Sequence, residues 1–269
     1  MLLVVVMLCH AGGTAQTDSA RVAGRWNATI MQDAGRFWDA FLYVGSAPAR
    51  WNGQDIGKAG SLFLGTGVVG LGDDDISAAS RSIRGRTGDR LETVVRQYGE
   101  VWVLAVLCGG SYATGLFTGD RWLRETAFLA GTGLILTAGA TQVLKYTAGR
   151  ARPYTLEGPG RFRILAADDD HHSFPSGHTA AAFSLSTVLA HQIGNGWATA
   201  GLYTLAAMTS LSRVYAGEHW FSDCVFSAVL SMAITHSLLQ WYDTRMEPAS
   251  AAGVRLVPGP DGVSFIYTF

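Results

Sequence analysis

The chain has 269 residues, enough for one large domain or for one domain with modest extensions. Its formal net charge of -1 excludes the basic field of a nucleic-acid-binding protein and the acidic field of a polyanion mimic. Only 15% of the residues are charged and 48% are hydrophobic, which favours a membrane protein or a very large helical core over an ordinary soluble domain. The three cysteines, Cys9, Cys108 and Cys224, lie in apolar stretches, so we predict small core residues and no disulfide framework.

The first 16 residues are predicted to form a signal-like segment. An apolar stretch is followed by small residues ending in Gly13-Thr14-Ala15, as in secretory signals, although a positively charged start is missing. An uncleaved anchor or an ordinary apolar helix are the alternatives. Cys9 follows Leu8, where a lipoprotein cleavage site needs a small residue, so lipidation is disfavoured.

Residues 17–100 are predicted to be an N-terminal helical region. Up to about residue 58 the sequence is mixed and polar and indicates one or two amphipathic helices. An uncharged, Gly-rich segment then ends at Asp73-Asp74-Asp75, which we interpret as a solvated turn or helix cap. A calcium loop would require alternating carboxylates and a following glycine, and neither is present.

Residues 101–245 are predicted to be the helical core. They contain four apolar stretches, Val101–Gly119, Ala127–Leu144, Thr179–Ser212 and Cys224–Tyr242. The third stretch is too long for one helix, and Gly194-Asn195-Gly196 divides it into two. In the tail, residues 250–269, two short apolar runs flank a Gly-Pro-Asp-Gly turn and predict a β-hairpin. The predicted fold is therefore an all-α helical bundle, membrane-embedded, with a short C-terminal β-hairpin.

Three short segments hold most of the polar residues that could take part in catalysis: Lys145 to Pro153 (KYTAGRARP), Pro175 to His178 (PSGH) and Ser212 to Asp223 (SRVYAGEHWFSD). In the first, Lys145 and Arg152 are seven residues apart and share a helix face. In the second, a Ser-Gly pair opens a helix and offers free amides to an anion. In the third, His219 and Asp223 are four apart, which predicts a carboxylate against an imidazole on one helix face.

The order of the helices predicts that these three segments meet. If successive helices run in alternate directions, four helix ends lie at the same end of the bundle. They are the end of Ala127–Leu144, the start of the first half of Thr179–Ser212, the end of its second half, and the start of Cys224–Tyr242. Polar residues that are dispersed in the sequence then converge at one mouth, as a catalytic site requires.

In these three segments the sequence resembles the type 2 phosphatidic acid phosphatase superfamily, which includes bacterial non-specific acid phosphatases and vanadium haloperoxidases. The resemblance covers about the central third of the chain, and its motifs show no departure. The matching positions are Lys145, Arg152, Pro153, Pro175, Ser176, Gly177, His178, Ser212, Arg213, His219 and Asp223.

The resemblance implies a phosphatase that forms a phosphohistidine intermediate. His219 is the expected nucleophile, Asp223 is expected to hold the proton on its second nitrogen, and His178 is expected to act as general acid and then as general base. The phosphate is expected to bind Lys145, Arg152 and Arg213 together with the amides near Ser176 and Gly177. With three fixed cations at the phosphate, neither a metal ion nor another cofactor is expected.

The substrate class and the location remain open at this point. Phosphate monoesters or pyrophosphates are implied, either of a lipid or of a small ester, and we favour a lipid and an envelope enzyme whose site faces the periplasm. A soluble periplasmic acid phosphatase is the main alternative, and a vanadium haloperoxidase and a non-catalytic anion-binding envelope protein are the others. Basic residues crowd the catalytic end and would place it in the cytoplasm, but phosphate-binding arginines must be discounted from that count.

Two acidic features are interpreted without a catalytic or metal-binding role. The loop Asp168–His172 is predicted to border the mouth of the site rather than to bind a divalent cation, and Glu218 is interpreted as a surface carboxylate.

Overall fold

The structure of the protein is a computed structural model that describes residues 19–246, 253–259 and 262–268, with side chains for residues 26–245. The signal-like segment 1–16, with Cys9, and the tip of the predicted C-terminal turn at Pro260 and Asp261 lie outside the described residues. Nothing in the structure tests the division of the chain at residue 100, which stays a prediction.

The described helices follow one another with short connections. In chain order they are α1 (Ser19–Gly45), α2 (Gly53–Gly70), α3 (Asp73–Ser82), α4 (Arg86–Val95), α5 (Val101–Thr118), α6 (Arg121–Ala148), α7 (Gly177–Ile193), α8 (Gly196–Tyr215) and α9 (Phe221–Met246). Single 3-10 turns occupy Ala47–Arg50, Arg96–Gly99, Pro153–Thr155 and Asp169–His171. The long connection is residues 149–176, between α6 and α7, and it carries much of the polar site.

The core helices lie where the apolar stretches predict them but extend as many as six residues beyond those stretches, and local chemistry explains several of their ends. Gly194 ends α7 in the left-handed conformation at φ +65°, which a glycine adopts without a Cβ penalty. The side chain of Asn195 then caps α8 by accepting hydrogen bonds from the amides of Trp197 and Ala198. Asp120 caps α6 in the same manner, through the amide of Leu123 at 3.0 Å.

Helix α7 lies at the centre of the bundle. It packs against α6, α8 and α9, and α5 and α1 close the far side of α6. The core combines aliphatic and aromatic side chains from α1, α5, α6, α7 and α9, including Val44, Leu104, Leu129, Leu134, Leu185, Val188, Leu238 and Trp241. Because α7 is covered on several sides, its small Ser, Thr and Ala side chains are buried, which holds its start, the PSGH segment, in a fixed position.

Three of the described helices, α5, α6 and α9, are long and apolar enough to cross a membrane. They coincide with three of the five apolar segments that the sequence predicts in residues 101–245. Helix α7 has only 17 residues, and α8 is diluted by glycine, serine and threonine. Large apolar side chains face outward on α5, including Trp102 and Val106, and such exposed apolar surface indicates membrane association.

At the C-terminus the chain forms two strands, β1 (Gly253–Gly259) and β2 (Gly262–Thr268), paired antiparallel with Gly253 opposite Thr268. The side chains of this segment lie outside the description. The helices of residues 19–246 give the molecule its all-α character, and no expected site residue lies in the hairpin.

Candidate active site

The imidazole of His219 lies at the centre of the polar residues, in the turn before α9. Gly217, at φ +72°, lies just after the end of α8, and α9 begins only at Phe221. His219 therefore lies in the turn between these two helices. The side chain is 3% exposed, and Nδ1 lies 2.5 Å from the backbone carbonyl oxygen of Ser173. Because a carbonyl only accepts, Nδ1 must carry the proton, which leaves Nε2 of the neutral ring with a free lone pair.

The surroundings of His219 keep its ring neutral. Burial lowers its pKa well below the usual value, and the charges of Lys145, Arg152 and Arg213 lower it further. An unprotonated Nε2 beside three cations is the arrangement that a nucleophile for an anionic phosphate needs.

Asp223 does not bind the imidazole directly, which corrects the expected role. Its Oδ2 lies 4.0 Å from Nδ1 of His219, while it accepts hydrogen bonds from the hydroxyl of Ser173 at 2.5 Å and the amide of Trp220 at 2.9 Å. The prediction assumed one continuous helix from His219 to Asp223, and the helix begins only at Phe221. Asp223 is therefore linked to His219 through Ser173, whose hydroxyl donates to the carboxylate and whose carbonyl accepts from the imidazole.

A buried ion network anchors Asp223 from behind. Arg150 donates to Oδ1 of Asp223 at 2.5 Å and to Asp73 at 2.9 Å, and Asp73 also accepts from the amide of Ser222 at 3.0 Å. Asp73 is 1% exposed and is the first residue of α3, so the solvated turn is wrong for this residue, whereas a place at a helix start is correct. The carboxylate is buried because Arg150 is its counter-ion, and the network joins α3 to the start of α9.

The three expected phosphate cations converge around His219. Lys145, at the end of α6, donates to the carbonyl of His172 at 2.5 Å. Arg152 donates to the carbonyl and the carboxylate of Asp169 at 2.8 and 2.9 Å. Arg213, at the end of α8, donates to Glu92 of α4 at 2.6 Å, and its Nε has no partner among the described residues. A buried, unsatisfied guanidinium nitrogen is available to a ligand.

Glu218, interpreted from the sequence as a surface carboxylate, is 31% exposed and lies between the two arginines. It pairs closely with Arg152 and lies 3.9 Å from Arg213. The Gly217 turn directs this side chain inward, next to the nucleophile, which sequence spacing alone did not indicate.

His178 lies in the first turn of α7 and is half-buried. Its Nε2 is 3.1 Å from Glu100, the residue that precedes α5. Burial and the charge of Arg213 lower the pKa of His178, and the bond to Glu100 partly offsets this by favouring the charged ring. With Nε2 held by Glu100, Nδ1 is the ring nitrogen left to serve a substrate. Gly99 makes the arrangement possible, because a Cβ there would lie 2.4 Å from the carbonyl oxygen of His178.

The amides at the start of α7 are only partly available. The Ser176 amide donates to the hydroxyl of Ser227 at 2.6 Å, and the Ser176 hydroxyl accepts from the Thr179 amide. The amides of Gly177 and His178 have no acceptor in the described part of the chain, which follows from their place in the first helical turn. We therefore expect these two amides, and not that of Ser176, to contact an anion.

The acidic loop lies against the site, as predicted. Asp169 contacts Arg152, Asp170 accepts from the hydroxyl of Tyr154 at 2.7 Å, and Asp168 lies 2.5 Å from Nδ1 of His171. These carboxylates are occupied by protein groups. Within residues 19–246, no three His, Cys, Asp or Glu side chains are placed to hold a metal ion.

One polar cluster therefore links the ionisable residues expected in the site, Lys145, Arg152, His178, Arg213, His219 and Asp223, but sequence reasoning missed several partners. These are Asp73, Glu92, Glu100, Arg150, Ser173 and Glu218. For Arg150 a signal existed, since it lies inside the first motif. The acidic partners on α3 and α4 and before α5 lie in no motif and reach the site only through tertiary packing.

Comparison with known proteins finds a family that matches the part of the chain around this cluster. Residues 126–247, which hold every expected site residue, match the model of the PAP2 superfamily. The resemblance inferred from the three motifs is thereby confirmed.

The relatives within the superfamily include lipid phosphatases. A segment of 104 residues, 38% of this chain, is 32% identical to the lipid A 1-phosphatase of Porphyromonas gingivalis. That segment spans only about a fifth of the relative's length.

Two solved structures share the fold. Aquifex aeolicus LpxE superposes with a TM-score of 0.50 and 24% identity, covering 62% of this chain and 94% of that one. The transmembrane PAP2 type phosphatidylglycerolphosphate phosphatase of Bacillus subtilis gives a TM-score of 0.51 and 20% identity, covering 69% and 96%.

Proposed function

We propose that the protein is a phosphatase that hydrolyses phosphate monoesters or pyrophosphates of lipids through a phosphohistidine on His219. The observation that carries the proposal is the imidazole of His219, which is buried, proton-bearing at Nδ1 through the Ser173 carbonyl, and surrounded by Lys145, Arg152 and Arg213. Such a group is a neutral nucleophile facing an anion site.

The first step forms the phosphoenzyme. Nε2 of His219 attacks phosphorus, the bond from phosphorus to the leaving oxygen breaks, and its electron pair remains on that oxygen, which takes a proton from His178. Lys145, Arg152 and Arg213 stabilise the charge on the equatorial oxygens. The ring of His219 becomes positive, and Asp223 at 4.0 Å and the Ser173 carbonyl stabilise that charge.

The second step releases phosphate. His178, now neutral, takes a proton from water, the water oxygen attacks phosphorus, and the P–N bond breaks to restore His219. Because these side chains supply the nucleophile, the acid and the charge stabilisation, the proposed mechanism does not require a metal ion.

A lipid substrate and a membrane location rest on two observations. Helices α5, α6 and α9 are long and apolar enough to span a bilayer, and a curated relative that is 32% identical over 104 residues is a lipid A 1-phosphatase. We further propose that the site faces the periplasm, in accordance with the signal-like segment 1–16.

A substrate panel tests the activity. In detergent we expect hydrolysis of a soluble aryl phosphate, phosphatidic acid and a polyprenyl pyrophosphate to differ in kcat/KM, to survive EDTA and to be inhibited by vanadate, which mimics phosphate. Absence of hydrolysis of every substrate, with vanadate binding intact, would indicate an anion-binding protein, and bromide oxidation with vanadate would indicate a haloperoxidase.

His178→Ala separates the two steps. An aryl phosphate has a good leaving group that needs little protonation, so we expect this variant to form the phosphoenzyme and then to stall, because no base activates water. Stopped-flow measurement should show a burst of close to one aryl alcohol per enzyme followed by a steady rate about 10²–10⁴-fold below wild type. The control is His171→Ala, which alters a histidine outside the reacting set and should turn over normally. A full steady-state rate in His178→Ala would remove the residue from its role.

Glu100→Gln is expected to shift the pH dependence of the reaction. The acid step requires protonated His178, so its rate falls as the pH rises through the pKa of that residue. The Glu100 carboxylate raises this pKa, and its removal must lower it. The alkaline limb of kcat against pH for a lipid phosphate should therefore move to lower pH in Glu100→Gln, while Glu157→Gln leaves it in place. An unchanged limb would show that Glu100 has only a structural role.

A further inference from the structure

The connection between α6 and α7 exposes a set of large apolar side chains beside the phosphate site. We call Leu156, Phe162, Ile164 and Leu165 the loop patch, and these side chains are between 52% and 74% exposed. In water this exposure is unfavourable, because each side chain would gain from transfer to an apolar medium. A contiguous exposed patch of this kind marks an interaction surface.

The backbone conformation strengthens that conclusion. Leu156 and Leu165 have φ values of +60° and +59°, in the left-handed region that a residue with a Cβ adopts at a cost. Both leucines thus combine an unfavourable backbone with an exposed side chain. Intramolecular packing of the two side chains does not compensate this cost.

The loop patch is held rigidly against the catalytic residues. The amide of Ala151 donates to the carbonyl of Arg161 at 2.9 Å, and that of Arg163 to the carbonyl of Gly149 at 2.7 Å. Arg150 lies between Gly149 and Ala151, the two residues held by these bonds, and it binds Asp223. Whatever surface the patch contacts is therefore fixed in position relative to the nucleophile.

The patch continues the outward face of a candidate membrane span. Ile135, Val143 and Tyr146 are exposed on α6, and at 100° per residue they lie within an arc of about 80°. The amide of Leu165 donates to the carbonyl of Tyr146 at 2.8 Å, so the patch begins where this face ends. Tyr146 and Tyr154 are half-exposed, and tyrosine favours the boundary between lipid and water.

The basic residues of the loop also suit this boundary. Arg161 and Arg163 alternate with the apolar residues and are more than three-fifths exposed, with carboxylate partners only at 3.3 and 3.4 Å. Loose surface pairs of this kind contribute little, so the guanidinium groups are available to lipid phosphates. A protein partner is disfavoured by the continuity with α6, which is long and apolar enough to span a bilayer.

We propose that the loop patch inserts into the headgroup region of the membrane and presents lipid phosphates to the site, an inference that rests in its second half on the proposed function. The apolar side chains anchor the rigid loop in the lipid. The phosphate of a lipid in the same leaflet then lies at the depth of Arg152 and does not need to leave the bilayer.

Fluorescence tests the insertion without any need for turnover. We would label Ile164→Cys with an environment-sensitive fluorophore in a background with Cys9→Ser and Cys108→Ser, reconstituted in phosphatidylcholine vesicles with and without phosphatidylglycerol. Insertion predicts a blue-shifted emission, quenching by lipids with brominated chains and protection from iodide. Quenching by iodide alone would place the patch in water and overturn the proposal.

Kinetics tests the presentation of substrate. The triple variant Leu156→Ser, Ile164→Ser, Leu165→Ser should keep the wild-type rate on a soluble aryl phosphate but raise the apparent KM for phosphatidic acid in vesicles about tenfold or more, equivalent to about 1.4 kcal/mol. Trp197→Ser, which removes an equally exposed side chain at the other end of the bundle, is the control. Unchanged KM in the triple variant would refute the presentation role. A wild type inactive on both substrates would refute the proposed function and leave the insertion to the fluorescence result.

Discussion

His219→Asn is expected to lose kcat by roughly 10⁴-fold or more while the fold survives, because the variant keeps the internal hydrogen bond and loses the nucleophile. The amide nitrogen of asparagine can donate to the Ser173 carbonyl as Nδ1 does, whereas no atom replaces the lone pair of Nε2. His219→Ala should be equally inactive. It should also be less stable, because it leaves a cavity and an unpaired buried carbonyl.

The comparison of these two variants identifies the chemistry. Steady-state hydrolysis of an aryl phosphate and thermal unfolding in detergent would be measured for both. In a quench experiment with a labelled substrate, wild type should retain an acid-labile, alkali-stable phosphate on one histidine, and neither variant should. Residual activity within about tenfold of wild type in His219→Asn would contradict nucleophilic catalysis by this residue.

Arg150→Met should destabilise the protein by about 3–5 kcal/mol, the cost of leaving buried carboxylates without a counter-ion. Arg150 is 6% exposed and binds both Asp73 and Asp223, neither of which is solvated. With the guanidinium removed, both carboxylates must be protonated or exposed. Activity should fall as well, because Asp223 then no longer holds Ser173 in place.

Thermal unfolding in detergent measures the first effect, and Arg161→Met is the matched control. Arg161 belongs to the same loop, but its side chain is mostly exposed, so its replacement should change stability by less than about 0.5 kcal/mol. The double variant Asp73→Asn, Arg150→Met should recover part of the loss, because one uncompensated charge is removed with its partner. Equal stability of Arg150→Met and Arg161→Met would show that the buried network contributes nothing.

The sequence was sufficient for the helical core because its signals are local. Long apolar runs, the Gly194-Asn195-Gly196 break and the proline after Arg152 each determine the backbone over a few residues. The motif residues could be placed at one end of the bundle from the order and direction of the helices alone. The structure brings them together around His219.

The acidic half of the site could not be predicted, because it depends on packing between distant segments. Glu92 and Glu100 lie about 80 residues or more before their partners, and no fixed spacing links them. Ser173 acts through a backbone carbonyl, which any residue possesses, so its identity carries no signal for that bond. The direct contact between Asp223 and His219 was expected from helical spacing, and that spacing fails because α9 begins only at Phe221, so His219 lies in the preceding turn.

The carboxylate of Glu218 beside Arg152 has a consequence for how tightly the site can retain its product. Arg152 and Arg213 each pair with a carboxylate of the protein, so under the proposed function a phosphate group that binds them displaces a carboxylate and gains only the difference between the two interactions. Inorganic phosphate, the product of the second step, carries no lipid. It therefore makes no additional contacts that would strengthen its binding. Under the proposed function, Glu218 therefore competes with the released phosphate for Arg152, and this competition favours departure of the product.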